Sequence, residues 1–284
     1  MKTIAILYIC TGKYECFWNE FYATCEKNFY SDVFKTYYVF TDSQRILENK
    51  NDNVKVYYQC QSGWPYDTLL RYNWFCTIQD KLKEYTYCYY FNANSVVLKS
   101  ITSLNIPFPT EEKPLVLNIH SHMYDDYDGK LFQPERNSRS LACISEGTYC
   151  RAYSGGFWGG KSEAIVKMCC ELRDRISIDM KNGIIAIWHD QSHLQKYAME
   201  VPHIIVERDL ISSEEYMKDK VCAIVFLNKS KYGGQENLRK LSSKDMLKLI
   251  PIKAYRTVLS FAEKVHMKSI IQTVVHMVVK KNNR

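Results

Sequence analysis

The chain has 284 residues, 46% apolar and 24% charged, the balance of an ordinary soluble globular domain rather than a fibrous or disordered one. No run reaches the roughly 18 uninterrupted apolar residues of a membrane-spanning helix, so no such helix is expected. The net charge of +7 is confined to the end. After Lys240 nine basic residues face only Asp245 and Glu263, and the first 240 residues balance. The chain opens on "MKTIAILYIC", too short an apolar stretch for export and without a small-residue cleavage site. Its 11 cysteines, an odd number with no C-x-x-C pair, are therefore expected as reduced thiols in a cytoplasm. The 22 tyrosines suit a polar aromatic site or simply a tyrosine-rich interior.

"IAILYIC" predicts a strand, and Thr11-Gly12-Lys13 a turn. "ECFWNEFYATCEKNFY" repeats apolar residues at helical spacing (Phe17, Phe21, Cys25, Phe29). "KTYYVFTD" and "VKVYYQC" predict two further strands, residues 67–85 a second amphipathic helix, and "TYCYYF" a fourth strand. Strands alternating with helices imply a parallel sheet with its ligand site at the strand ends. Such signals continue to about Val225, with glycine-rich turns at Gly155-Gly156 and Gly159-Gly160, giving a domain over residues 1–240 and a tail over 241–284. In the tail, Val258, Phe261, Ala262, Val265, Ile270, Val274 and Met277 share one helical face and Lys264 and Lys268 lie on another. That pattern suits either a basic amphipathic helix on an anionic inner-membrane surface or a helix packed on the domain. Nucleic acid is not expected, because the basic residues are not interleaved with exposed aromatics at stacking spacing.

The fourth strand ends in Asn92-Ala93-Asn94 before the apolar run Val96-Val97-Leu98, a polar break where an α/β sheet exposes a ligand site. Asparagines also form turns after strands. In "WHDQSHLQKY", His189 and His193 stand four apart, as in a zinc helix, but Asp190 follows the first and no third ligand lies at a matching spacing, so zinc is set aside. "FLNKSKYGGQENLRK" carries Lys229, Lys231 and Arg239 around a Tyr-Gly-Gly hinge.

Four stretches together, "ICTGKY" (Ile9–Tyr14), "FNANSVV" (Phe91–Val97), "YSGGFWGG" (Tyr153–Gly160) and "NGIIAIWHDQSHLQKY" (Asn182–Tyr197), resemble glycosyltransferase family 6, the family of the histo-blood-group A and B transferases and of α-1,3-galactosyltransferase. The resemblance spans about residues 4–240. It implies a GT-A fold, a Rossmann-like mixed sheet flanked by helices, and transfer of galactose or N-acetylgalactosamine (GalNAc) from UDP to O3 of a galactose with retention of the α configuration. "NAN" in place of Asp-x-Asp matches the bacterial branch, which works without a metal cofactor on fucosylated galactosides. Amide oxygens bind hard divalent cations far less well than carboxylates. Protein cations and amide donors must then neutralise the diphosphate.

By resemblance, Ile9 and Tyr14 sandwich uracil, Arg71 lies near the donor, and Asn92, Asn94, Lys229, Lys231 and Arg239 hold the diphosphate, Lys231 first among them. Ser154, Gly155 and Gly156 sort donor sugars. Gly156 leaves room for an acetamido group where galactose-specific enzymes have Ala, which points to UDP-GalNAc. Asp190 orients the donor sugar, and His120, Trp188, His189 and Gln191 border the acceptor. The family carries Glu where Gln191 stands, facing the anomeric carbon as nucleophile or charge stabiliser. An amide serves neither role. Three readings follow: an amide introduced to trap intact donor, a weak or inactive natural transferase, or Asp190 taking over. A non-catalytic UDP-sugar or glycan-binding protein is the competing class.

Overall fold

The computed structural model describes residues 2–126, 131–217 and 221–239; the predicted tail lies outside them. The first compact unit runs Met1–Arg239. Its elements in chain order are β1 (Thr3–Ile9), α1 (Trp18–Asn28), β2 (Phe34–Thr41), α2 (Gln44–Leu47), β3 (Val54–Tyr58), α3 (Tyr66–Leu69), α4 (Arg71–Cys76), α5 (Gln79–Leu82), β4 (Tyr87–Phe91), β5 (Ser95–Val97) and β6 (Leu115–Ile119). There follow β7 (Tyr153–Lys161), α6 (Ser162–Lys181), α7 (Asp190–Ala198), β8 (His203–Ile205), β9 (Ile211–Ser213), β10 (Ile224–Phe226) and α8 (Gly234–Leu238).

β1 and β4 are buried on both faces, which is why they read as continuous apolar runs rather than alternating ones. They lie at the centre of a sheet ordered β3-β2-β1-β4-β7-β6-β8. The pairings are parallel except that β7 runs antiparallel to both β4 and β6. The alternation of strands and helices therefore gives a parallel sheet with one reversed strand. Reversal brings the start of β7 to the edge where β1, β4 and β6 end, so Ile9, Asn92, His120 and Gly156 meet there. Gly159 and Gly160 let β7 pass close to its neighbours: a Cβ would meet the Tyr89 ring at 2.0 Å and the Pro114 carbonyl at 2.4 Å. This mixed α/β arrangement is the GT-A fold.

The single helix expected over residues 67–85 is three short ones, α3, α4 and α5. Local hydrogen bonds compete with a continuous ladder. The Thr77 hydroxyl donates to the Trp74 carbonyl at 2.6 Å, and Arg71 Nε donates to the Thr68 carbonyl at 3.2 Å. A small second sheet, β5-β10-β9, stands beside the first. Among the described residues no helix is long and apolar enough to cross a membrane.

Candidate active site

A cleft of about 560 Å³ opens at the carboxyl edge of the sheet. Of the residues singled out in the sequence, Ile9, Tyr14, Arg71, Asn92, Asn94, Ser154, Gly155, Gly156 and Lys229 line it. So do His120, Trp188, His189, Asp190, Gln191 and Arg239.

One does not. Lys231, the cation expected first at the diphosphate, is exposed and pairs with Glu214 at 2.5 Å. Residues 229–232 form a 3₁₀ turn, whose three residues per turn send positions 229 and 231 to different sides. Lys229 faces the cleft instead. Its ammonium lies 5.5 Å from the centre of the Tyr14 ring, and burial, with Arg239 and Arg71 nearby, lowers its pKa to about 8. Arg239 lies 3.7 Å above the Trp64 ring and Arg71 4.9 Å above Tyr90. Three cations thus rest on aromatic faces, a placement that holds positive charge without neutralising it, although Arg71 is also paired with Asp190.

The two asparagines form a directed chain of amides. Asn92 Nδ2 donates to Asn94 Oδ1 at 2.9 Å, and Asn94 Nδ2 donates to the Leu227 carbonyl at 2.7 Å. The Leu227 amide returns a hydrogen bond to the Asn94 carbonyl, also at 2.7 Å. Asn94 therefore clamps the end of β10, two residues before Lys229. A carboxylate at this position could accept but not donate, so the clamp requires the amide.

Asp190 opens α7 and is 4% exposed. Burial pushes its carboxyl up, and Arg71, 3.2 Å away, opposes that shift. The buried guanidinium is held in its charged form by Asp190, and its Nη1 donates to the Gly155 carbonyl at 2.9 Å. Asp190 Oδ2 has this ion pair but no hydrogen-bond donor in the structure, an acceptor turned toward Gly155. Gln191 Oε1 accepts from the Gly155 amide at 3.1 Å and lies 3.2 Å from His120 Nε2. Because an amide oxygen only accepts, His120 carries its proton on Nε2. Burial lowers the His120 pKa to about 4, so the ring is neutral at pH 7.

His189 precedes α7 with φ +54° and ψ −127°, a backbone region that disfavours side chains, and its ring stands edge-on to Trp64 at 4.4 Å. His193 is buried behind the cleft, 3.6 Å from Asp179. The two histidines of the i, i+4 pair therefore diverge: the first sits outside the helix proper and the second faces inward.

Trp64, Asp67, Tyr90, Glu215 and Phe226 also line the cleft and were missed by sequence reasoning. Trp64 had a signal, a tryptophan in the turn "SGWPYD"; Phe226 had none, being one apolar residue in a strand.

The model of glycosyltransferase family 6 matches residues 109–236. The O-antigen biosynthesis glycosyltransferase WbnI of Escherichia coli is 32% identical over 240 residues, 84% of this chain and 99% of that protein. The chain belongs to glycosyltransferase family 6. More distant members include the chicken globoside α-1,3-N-acetylgalactosaminyltransferase 1, 24% identical over 69% of this chain and 57% of its own. The rat histo-blood group ABO system transferase 1 is 37% identical over a shorter stretch, 24% of this chain and 20% of that protein. As a family 6 member the chain is a transferase of the hexosyltransferase kind, with a nucleotide-sugar donor and a glycan acceptor. The cleft at the sheet edge gathers most of the residues that the family resemblance singled out.

Proposed function

We propose that the chain is a retaining α-1,3-N-acetylgalactosaminyltransferase that needs no metal and moves GalNAc from UDP-GalNAc to a fucosylated galactose. The observation that carries this reading is the charge arrangement: Lys229 and Arg239 over ring faces in the cleft that Asn92 lines. A diphosphate brings negative charge that these cations can meet directly. The residues present do not fit a divalent ion. The amide oxygen of Asn94 already accepts from Asn92 and its nitrogen is committed to Leu227, and among the described residues no three His, Cys, Asp or Glu side chains are grouped to hold an ion.

In this reading Ile9 and Tyr14 hold uracil, Lys229 and Arg239 the phosphates, and Ser154 to Gly156 the sugar. Asp190 Oδ2, which has the Arg71 ion pair but no hydrogen bond, accepts from a sugar hydroxyl. His120 and Trp188 flank the acceptor. Bond breaking leaves positive charge on the sugar ring and negative charge on the UDP oxygen. The acceptor O3 then attacks from the face the diphosphate leaves, passing its proton to the departing UDP oxygen, which retains configuration. Gln191 offers no charge on the opposite face, and this amide limits the rate.

A second reading, galactose as donor sugar, is favoured by one contact. A Cβ on Gly156 would meet the Phe226 ring at 2.9 Å, so the space expected for an acetamido group is partly filled. Transfer from UDP-GalNAc and from UDP-galactose to 2′-fucosyllactose, with EDTA present, tests both. Gln191→Glu should raise the rate by about 10²-fold or more. No transfer from either donor in the Glu variant, with UDP still bound, would refute the reading.

A further inference from the structure

We infer that Phe226 is a donor-selecting residue, so that Gly156 and Phe226 together, rather than Gly156 alone, decide between a 2-hydroxyl and a 2-acetamido sugar. The inference rests on the proposal that the donor sugar lies against Ser154–Gly156.

Successive residues of a strand face opposite sides, and the two glycines of β7 do so here. A Cβ on Gly155 would point at Asp190 Oδ2 and Gln191 Oε1 at 3.6 and 3.7 Å, ordinary contact distances. A Cβ on Gly156 would meet three ring carbons of Phe226, Cζ, Cε1 and Cε2, at 2.9, 3.2 and 3.4 Å. The absent side chain at Gly156 therefore does not leave an open pocket; the tip of an aromatic ring from β10 enters it. Phe226 lines the same cleft as Gly156, so whatever lodges over that glycine touches the ring.

The ring is not free to back away with its backbone. Phe226 pairs with Ser95 in the small sheet, and Leu227 is tied to Asn94 by two hydrogen bonds of 2.7 Å. The asparagine clamp thus fixes the depth to which the ring reaches. The acetamido group of the proposed donor is admitted by rotating the ring or packing against its edge, so UDP-GalNAc is held less tightly than it would be without Phe226. Steric discrimination of this size in an apolar pocket is worth about 10- to 200-fold.

The test is titration calorimetry of the full chain and of Phe226→Ala and Phe226→Leu with UDP, UDP-galactose and UDP-GalNAc. Melting temperatures of Gly156→Ala and of Gly156→Ala/Phe226→Ala accompany it. Truncation should shift the affinity ratio toward UDP-GalNAc by about tenfold or more, the Leu variant less than the Ala variant, with UDP itself unchanged. Gly156→Ala should lower the melting temperature in the parent background and have little effect once Phe226 is Ala. An unchanged ratio in both variants with UDP bound normally would overturn the role of Phe226. Failure of the unmodified chain to bind UDP would overturn the donor reading on which it rests. If Phe226→Ala folds poorly, Phe226→Leu, which retains most of the apolar volume, keeps the affinity ratio testable.

Discussion

At Lys229 the cost of burial and the use of charge pull in opposite directions. Desolvation and two neighbouring guanidinium groups lower its pKa to about 8, so near neutral pH it is mostly a cation, and above that it is not. The sign for ligand binding follows. Below pH 8 the ammonium is present to meet a diphosphate; as pH rises through 8 the free protein loses it, and affinity falls. UDP binding should weaken by about tenfold or more between pH 7 and pH 10, the worth of one charge-assisted contact. Lys229→Arg, always protonated, should remove that dependence. A flat profile in the unmodified chain would mean that Lys229 does not touch the phosphates. The choice between Lys229 and Lys231 was not legible in the sequence. Both are lysines two apart in a loop, and only the 3₁₀ geometry of residues 229–232 shows which one faces the cleft.

At the level of elements, two features control the cleft walls. The first is the amide chain that joins the loop after β4 to β10. Asn94→Asp would remove the donor to Leu227 and set a carboxylate oxygen against a carbonyl. The expected loss is about 2–4 kcal/mol of stability at pH 8, read by urea unfolding. Protonating the new acid restores a donor, so its folded pKa is raised above the usual value. The penalty should then shrink as pH falls toward 4. A neutral effect at pH 8 would show that the clamp contributes nothing. The second feature is the backbone at the start of α7. His189 holds φ +54° while its ring packs on Trp64, so the position combines a costly conformation with a useful contact. Replacement by Ala loses the ring and keeps the strain; replacement by Gly loses both. His189→Gly should therefore be more stable than His189→Ala by about 1–2 kcal/mol, the reverse of the usual order of these two residues in a helix. Equal stabilities would mean the chain relaxes around either residue.

For the whole molecule, the order of strands and helices was largely legible, because β1, β2, β3, β4 and α1 announce themselves by continuous apolar runs or by helical spacing. What was not legible depends on partners distant in sequence. The break of residues 67–85 into three helices follows from hydrogen bonds of Arg71 and Thr77, and the reversal of β7 from its pairing with β4 and β6. The position of most candidate site residues in one cleft was foreseen through family resemblance. The ring over Gly156 was not, since 70 positions separate the two residues and neither carries a mark of the other.

The segment from Leu131 to Ala152 is attached from behind. Asp179, on α6, accepts from the Ser140 hydroxyl at 2.5 Å and the Leu141 amide at 2.9 Å. Glu135 accepts from the amides of Asn137 at 2.7 Å and Ile187 at 2.8 Å. Trp188 Nε1 donates to the Gln133 carbonyl at 2.7 Å. Two buried carboxylate anchors and the wall tryptophan hold the segment, together with its own small core of Phe132, Ile144, Cys150 and Ala152. The segment is thus moored to α6 and to the residues that lead into α7, so a change at Glu135 reaches Ile187 and Trp188 in the cleft wall from outside the cleft.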